Sequence, residues 1–300
     1  KDTATTVINT ILFVGSVICV LSTAQNFVKL PAESAAKIRQ FPVEMVKRWY
    51  SPRLFGHMFY PNALAGVILL LLPVSLALLL GQARWGPLRF VLALGLAGVG
   101  LGCLYWSGSK AGWLIALVLL GAWLLHFPFS TKLKIGLASA AMVIGLAGFA
   151  VKYADYFDKG ATSVGARFGY WSAAVKTAAE EPFLGSGPGT FQVAYKRHRP
   201  PEAEPTRLTH NDYLQQASDS GVPGFLMYLA FFGGATWVLA RRRMAEPVHV
   251  AMRLGLLAWM LQGVVEFGLY IPALAWPAWL MLGWLLALPT NQVDKSTLTE

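Results

Sequence analysis

The chain has 300 residues, of which 55% are hydrophobic and only 13% are charged, and its mean hydropathy is +0.50. Soluble domains carry about twice that charged fraction, so the composition excludes an ordinary soluble protein. The formal net charge of +10 favours an anionic lipid surface or an anionic substrate as partner. Because the basic residues lie in turns between apolar runs, the charge does not predict binding to nucleic acid.

Repeated apolar runs of roughly 18 to 22 residues are long enough to cross about 30 Å of hydrocarbon as α-helices. They predict an all-α polytopic bundle with eight spans, near residues 4–24, 62–81, 88–106, 112–127, 135–152, 222–240, 248–268 and 272–288. The corresponding units are residues 1–152 (spans one to five, with a basic outer loop at 25–60), 153–221 (a large outer loop) and 222–300 (spans six to eight and a cytoplasmic tail). The chain begins at Lys1 without an initiator Met or a signal-peptide pattern, so we expect a processed chain or part of a longer polytopic protein.

Basic residues in the short turns predict the orientation of the bundle. They lie between spans two and three, four and five, and six and seven: Arg84, Arg89, Lys132, Lys134, Arg241, Arg242 and Arg243. With eight spans, these turns and both chain ends lie on one side, which we assign to the cytoplasm. The outer loop 25–60 nevertheless holds six Lys and Arg residues against two Glu residues. Either a long loop crosses regardless of its charge, or this surface receives a phosphate-bearing substrate.

The large outer loop has the pattern of a small folded unit lying on the membrane. A first helix runs through Arg167 and Trp171 and stops before Pro182, and a second short helix is predicted at 190–198. Thr209 can cap a third helix that ends at Gly221.

His210 is a candidate proton-transfer group, because it stands at the first turn of that third helix. Histidine exchanges protons near neutral pH, and Asn211 and Asp212 beside it can orient the ring. A loop histidine taken alone is more often an ordinary surface residue, so the neighbours carry this prediction.

Four further side chains on the outer side are candidates for binding an anion or for structural roles. Arg167 can bind a diphosphate through its planar fork, or lie among interfacial aromatic residues. Lys110, between spans three and four, can add charge to a phosphate site or extend to the interface. Glu266, inside the seventh span, should face a cavity or pair with one of the outer arginines. Asn62 at the start of the second span has the pattern of an N-cap.

The two cysteines, Cys19 and Cys103, both lie in apolar runs, and no cysteine or histidine cluster has the spacing of a metal site. We therefore expect no disulfide framework, no bound metal and no cofactor.

Four short motifs follow one another between about residues 50 and 240. They are Arg53-Leu54-Phe55-Gly56 leading to Pro61-Asn62-Ala63-Leu64-Ala65; Ser109-Lys110-Ala111-Gly112; Arg167 with Trp171 and the stretch 182–191; and Thr209-His210-Asn211-Asp212-Tyr213-Leu214 continuing to Gly221-Val222-Pro223-Gly224. In order and spacing they resemble the O-antigen ligase and polymerase family, with Lys110 standing where the family has an arginine.

The resemblance implies a glycosyltransferase of the bacterial inner membrane whose active site faces the periplasm. Such proteins move a glycan from undecaprenyl diphosphate to lipid A core, to a growing glycan or to a protein hydroxyl, without a nucleotide sugar or a required metal. The implied catalytic residues are His210, Arg167 and Arg53, with the diphosphate assigned to the arginines and the acceptor proton to His210. The implied substrate-binding residues are Lys110, Asn211, Tyr213 and Trp171.

Two other classes remain open. A transporter or flippase of a lipid-linked anion predicts ionisable groups at mid-span positions. A non-catalytic scaffold would bind partners through the loop 153–221. The three classes differ in geometry, since only the enzyme requires Arg53, Arg167 and His210 to share one outward cavity.

Overall fold

The computed structural model describes residues 53–58, 60–124, 126 and 128–288, together with the single residue Val14. Apart from Val14, the predicted first span and the outer loop up to residue 52 lie outside the described residues. In the described ranges the regular elements are all helical and no strand occurs, which confirms the predicted all-α class.

The described residues form nine α-helices, separated by short turns. They are α1 (Pro61–Leu80), α2 (Leu88–Ser107), α3 (Lys110–Leu124), α4 (Thr131–Asp158), α5 (Thr162–Glu180), α6 (Phe191–His198), α7 (Asp212–Arg241), α8 (Pro247–Gly263) and α9 (Pro272–Ala287). Single 3₁₀ turns lie at Gly56–Met58, Ala83–Trp85 and Gly268–Tyr270. The predicted helices of the outer loop correspond to α5, α6 and the first part of α7.

Four of these helices, α1, α2, α4 and α7, are long and apolar enough to cross a membrane, and α3 and α9 are shorter apolar helices. Together with the composition, they make this a membrane-embedded protein. The count of eight spans stays a prediction.

Two helices do not end where the predicted spans end. Helix α4 continues to Asp158, six residues past the predicted end of the fifth span. Helix α8 ends at Gly263 instead of 268, and the connection after it is tied to α7 by the N–H of Leu269, which donates to Asp212 Oδ2 at 3.0 Å. Glu266 therefore lies on a non-helical connection rather than inside a span.

Helix α1 is the centre of the bundle and is buried along most of its length. It packs most extensively against α8 and α2, and α9 also contacts it. A Cβ at Gly255 of α8 would overlap the carbonyl oxygen of Leu70, so a glycine there permits the close approach of the two helices. By contrast, the apolar side chains of α4, such as Val143 and Ile144, are mostly exposed, as expected of a surface that contacts lipid.

A second, smaller core lies at one end of the bundle. It holds together α5, α6 and the first part of α7 (residues 162–221), which we call the outer unit. Tyr170 and Ala174 of α5 pack against Phe191 and Tyr195 of α6, and Leu214 of α7 contacts this cluster. The rings of Tyr170 and Tyr195 meet edge to face, with centroids 5.4 Å apart. The outer unit is thus a folded layer of three helices, of which α7 continues directly into the bundle.

Helix α7 is kinked at Gly221, where the backbone has φ +68°. The turn after α5 fits into this kink: Val222 N–H donates to the carbonyl of Pro182 at 2.8 Å, and Ser186 N–H donates to the carbonyl of Ser218 at 2.8 Å. A Cβ at Gly221 would lie 2.5 Å from the oxygen of Pro182. The kink therefore requires glycine both for its backbone conformation and for the space it leaves.

Candidate functional site

A cavity of about 650 Å³ lies where the outer unit meets the bundle. It is formed by the start of α1, the turn between α2 and α3, the end of α4, the first half of α5, the turn before α7 and the connection after α8. Five predicted site residues line it: Arg53, Lys110, Arg167, Trp171 and His210. Arg53, Arg167 and His210 thus share one cavity, as the enzyme class requires, while their catalytic roles stay predictions.

Arg53 is held in place by two neighbouring elements. Its Nε donates to the carbonyl of Ser107 at the end of α2, and its Nη2 donates to Asn62 Oδ1, both at 2.8 Å. The backbone N–H of Leu54 also donates to the carbonyl of Trp106 at 2.9 Å. Burial lowers the pKa of Arg53, while Tyr60 and Glu266 nearby oppose that shift. The result is a cation with a defined orientation on the cavity wall.

Glu266 is the hub of the site and is only 4% exposed. Its Oε2 accepts a hydrogen bond from the Tyr60 hydroxyl at 3.1 Å, and its Oε1 accepts one from Asn62 Nδ2 at 2.5 Å. Arg167 forms an ion pair with the same Oε1, and His210 Nδ1 lies 3.4 Å from Oε2. The prediction that Glu266 pairs with an outer arginine is confirmed, and the partner is Arg167.

Arg167 reaches from α5 across to the connection after α8. Its Nε donates to the carbonyl of Val265 at 3.0 Å, and its Nη1 donates to the carbonyl of Ser163 at 3.2 Å. A third N–H group engages Glu266. Because a guanidinium has further N–H groups in the same plane, Arg167 can still donate to an anion in the cavity.

His210 is presented to the cavity by a strained turn. Its backbone has φ +53°, which is uncommon for a residue other than glycine and costs about 1 to 3 kcal/mol. Buried neighbours hold that conformation: Thr209 N–H donates to Gln215 Oε1 at 2.9 Å, and Thr209 Oγ1 donates to the carbonyl of Asn211 at 2.7 Å. Strain kept in place at a cavity is typical of a functional side chain.

Aromatic rings surround the His210 imidazole on two sides. Tyr170 stacks on it with ring centroids 5.6 Å apart, and Phe267 meets it edge to face at 4.8 Å. If the carboxylate of Glu266 accepts the Nδ1 proton, Nε2 is left as the basic nitrogen, which is the arrangement that a general base requires.

Lys110 and Trp171 complete the part of the wall that the sequence predicted. The Nζ of Lys110 lies 3.6 Å from the ring centroid of Tyr156 and 5.1 Å from that of Tyr153, both on α4. Lys110 therefore lies at the cavity rather than extending to the interface. The indole nitrogen of Trp171 has no hydrogen-bond partner within the described ranges.

Asn211 and Tyr213, the two other predicted binding residues, do not line the cavity. Asn211 is the N-cap of α7, its side-chain oxygen accepting from the N–H of Leu214 at 2.9 Å. The Tyr213 hydroxyl donates to the carbonyl of Met260 on α8 at 3.2 Å. Thr209 is not the cap that the sequence predicts, because its hydroxyl is engaged in the turn that presents His210. A substrate-binding role for Asn211 and Tyr213 stays a prediction.

The sequence did not predict the role of several polar and aromatic residues of the cavity wall. Asn62 is not an N-cap: Tyr60 is the residue before α1, and the Asn62 amide links Arg53 to Glu266. Burial raises the pKa of Tyr60 well above its usual value, so its hydroxyl stays protonated and donates to Glu266. Neither periodicity nor spacing in the sequence indicates that Tyr60, Tyr170 or Glu204 lines the cavity. Glu204 is exposed and lies on the connector before α7.

The cavity wall carries opposing charges. Arg53, Lys110 and Arg167 face the carboxylates of Glu204 and Glu266, which leaves a cationic excess. In the described part of the chain, no three His, Cys, Asp or Glu side chains are grouped closely enough to hold a metal ion. A polyanion with a flat or forked array of oxygens matches this arrangement of guanidinium and ammonium groups.

Fold and site together define a membrane-embedded helical protein with a cationic cavity under a folded outer layer. Residues 93–229 match the family described as O-antigen ligase, and this match confirms the resemblance that the motifs carry. This segment is therefore similar to proteins of the O-antigen ligase family. The matched segment includes Lys110, Arg167 and His210, whereas Arg53 and Glu266 lie outside it. No curated protein matches the chain.

Proposed function

We propose that this protein transfers a glycan from an undecaprenyl-diphosphate-linked donor to an acceptor at the periplasmic face of a bacterial inner membrane. The single observation that carries the proposal is the convergence of Arg53, Lys110, Arg167 and His210 on one cavity of about 650 Å³. The acceptor is lipid A core, a growing glycan or a protein hydroxyl, and the reaction requires no metal.

In this proposal the cations of the cavity stabilise the diphosphate leaving group. Breaking the bond between sugar and diphosphate develops negative charge on the diphosphate, and fixed cations in a site of low dielectric stabilise that charge. Arg53 and Arg167 are oriented by hydrogen bonds to Ser107, Asn62 and Val265, so they need little reorganisation when the charge develops. Lys110 supplies a further positive charge from the start of α3.

In this proposal His210 is the general base for the acceptor hydroxyl. Its imidazole takes the proton of the acceptor hydroxyl as that oxygen attacks the sugar carbon and the bond to the diphosphate breaks. Glu266, beside Nδ1, stabilises the imidazolium that forms, in the way that a carboxylate supports a histidine base in other enzymes. Trp171 lines the cavity and provides an aromatic surface for a sugar ring.

The test is transfer by purified protein in proteoliposomes that contain a defined undecaprenyl-diphosphate-linked glycan. Lipid A core, free glycan and a hydroxyl-bearing peptide compete as acceptors, and the product is identified by its mass. We expect His210→Ala to lower the transfer rate at least about 100-fold, as for the loss of a general base. We expect Arg167→Ala to lower it similarly through the loss of leaving-group stabilisation.

Matched controls lie in the same outer unit. His198 and Arg197 are at the end of α6 and do not line the cavity, so His198→Ala and Arg197→Ala should transfer normally. Full activity of both His210→Ala and Arg167→Ala contradicts the proposal. Donor binding without transfer to any acceptor by the unaltered protein favours a transporter instead.

A further inference from the structure

The outer unit exposes a strip of five large apolar side chains along α5 and the turn that follows it. Three of them, Val164, Phe168 and Val175, are 38%, 60% and 54% exposed and form an apolar stripe on one face of α5. The other two, Phe183 and Leu184, form an apolar tip on the turn after α5 and are 78% and 82% exposed. Isolated exposed apolar residues are ordinary, but an aligned set of this size indicates a surface that another apolar phase covers.

The apolar tip continues the lipid-facing surface of α7. The N–H of Val222, at the start of the apolar part of α7, donates to the carbonyl of Pro182. Phe183 is the next residue after Pro182, so the tip lies close to that part of α7. On that part of α7, Val222, Leu226 and Met227 are exposed. The tip therefore lies beside the first exposed apolar side chains of the part of α7 that follows the kink.

The other end of the apolar stripe reaches the bundle. Val164 lies on the cavity wall together with Leu114 of α3 and Phe157 of α4, and both of those side chains are exposed apolar residues of the bundle. At this end the stripe therefore shares the cavity rim with exposed apolar side chains of α3 and α4.

Charged residues limit how deeply this strip can be buried. Lys176, Glu180 and Glu181 are exposed at the end of α5, and Glu180 lies 3.4 Å from His198 on α6. Carboxylates are not placed in hydrocarbon, so α5 lies along the interface instead of crossing it. This combination of an apolar face with charged flanks is typical of a helix in the interfacial plane.

We propose that the apolar stripe and the apolar tip seat the outer unit in the lipid of the bilayer interface. Acyl chains and the adjacent headgroup region cover Phe168, Val175, Phe183 and Leu184. This contact with lipid does not depend on glycan transfer. It fixes the depth of α5 relative to the membrane surface, and therefore also the depth of Arg167.

The test measures which small molecules reach each position. Phe168, Val175 and Leu184 are replaced singly by spin-labelled cysteine in a chain carrying Cys19→Ser and Cys103→Ala, and the full chain is placed in phosphatidylethanolamine–phosphatidylglycerol nanodiscs. Collisions with oxygen, which concentrates in lipid, are compared with collisions with a charged nickel chelate, which stays in water. Glu202, exposed on the connector before α7, is labelled as the aqueous control.

We expect the ratio of oxygen to chelate collisions to be severalfold higher at the three strip positions than at Glu202. Only variants that keep the elution volume of the unlabelled protein are compared, and three separate positions keep the test decisive if one variant misfolds. A ratio equal to that at Glu202 overturns the proposal. Low accessibility to both reagents, or dipolar coupling between labels on two copies, overturns it as well, because protein would then cover the strip.

Discussion

At the residue scale, a single carboxylate organises the candidate site. Glu266 gathers Tyr60, Asn62, Arg167 and His210, which are separated from it by 206, 204, 99 and 56 residues along the chain. A buried carboxylate needs such partners, because burying a charge without compensation is costly. Its partners also become dependent on it, since the same contacts orient Arg167 and His210.

Removing Glu266 should therefore destabilise the protein as well as impair it. We expect Glu266→Ala to lower the free energy of unfolding by about 3 kcal/mol, because it leaves Arg167 partly buried without its counter-charge. Chemical unfolding in detergent micelles measures this change. Glu204→Ala is the matched control, since that carboxylate lines the same cavity but is exposed, and its effect should stay within about 0.5 kcal/mol. Equal losses in the two variants would argue against the hub.

Lys110 should act on donor binding if it faces the diphosphate. We expect Lys110→Ala to raise KM for the lipid-linked donor about tenfold, as for the loss of one charge-assisted hydrogen bond, and Lys110→Arg to retain the affinity. Steady-state kinetics in proteoliposomes measures both. Lys152 provides the matched control: it also lies over an aromatic ring, 2.9 Å from the Tyr105 centroid, but does not line the cavity. An unchanged KM in Lys110→Ala would remove this lysine from the donor site.

At the element scale, the turn at 182–189 and the kink of α7 pack together and are joined by hydrogen bonds. Gly185 has φ +65°, and a Cβ there would lie 2.6 Å from the backbone nitrogen of Gly221. The turn is also tied to α7 by Gly189 N–H, which donates to Asp219 Oδ2 at 3.2 Å. The glycine-rich motif thus serves to couple α5 to the point where α7 bends, and it does not line the cavity.

The kink predicts a large effect for a small substitution. Gly221→Ala should destabilise the protein by more than about 1 kcal/mol, because alanine disfavours positive φ and its Cβ would collide with the Pro182 carbonyl. Gly233→Ala in the same helix is the control, since a Cβ there meets nothing within 4 Å. Thermal unfolding of both variants in the same detergent gives the comparison. A Gly221→Ala variant as stable as Gly233→Ala would show that the kink relaxes freely.

At the scale of the whole molecule, the cavity and the basic turns lie at opposite ends of the bundle. The cavity lies at the start of α1 and α3 and at the end of α2 and α4, so the turns between α1 and α2 and between α3 and α4 lie at the far end. There Arg253 Nη2 lies 2.6 Å from His126 Nε2, and Arg242 Nη1 donates to the carbonyl of Leu285 at 2.8 Å. This separation agrees with the orientation that the basic turns predict.

The orientation can be tested by labelling from one side. In a chain carrying Cys19→Ser and Cys103→Ala, we expect Glu202→Cys to react with a membrane-impermeant maleimide from the periplasmic side. Arg243→Cys should react only after the membrane is permeabilised, because basic turns are retained in the cytoplasm. Both positions are exposed, so accessibility within the protein is matched. Labelling of Arg243→Cys in intact spheroplasts would reverse the orientation.

Local properties of the chain were sufficient to predict the helical class, the membrane location and several residues of the site. The length and polarity of an apolar run decide whether a helix can cross hydrocarbon, and a run is visible in the sequence. The motifs around Arg53, Lys110, Arg167 and His210 are equally local, and the family match covers the last three of them. The exact end of α8 was not predictable in this way, because the apolar run continues past Gly263 although the helix does not.

Only the tertiary structure decided how those residues work together. Whether Glu266 lies in a span or at the centre of a site depends on partners far away in sequence, and no local pattern encodes such contacts. The same holds for Asn211, which could bind a ligand by its chemistry but is engaged in capping α7. The length of an apolar run is a property of one segment of the chain. The cavity, by contrast, forms only when six separate segments pack together.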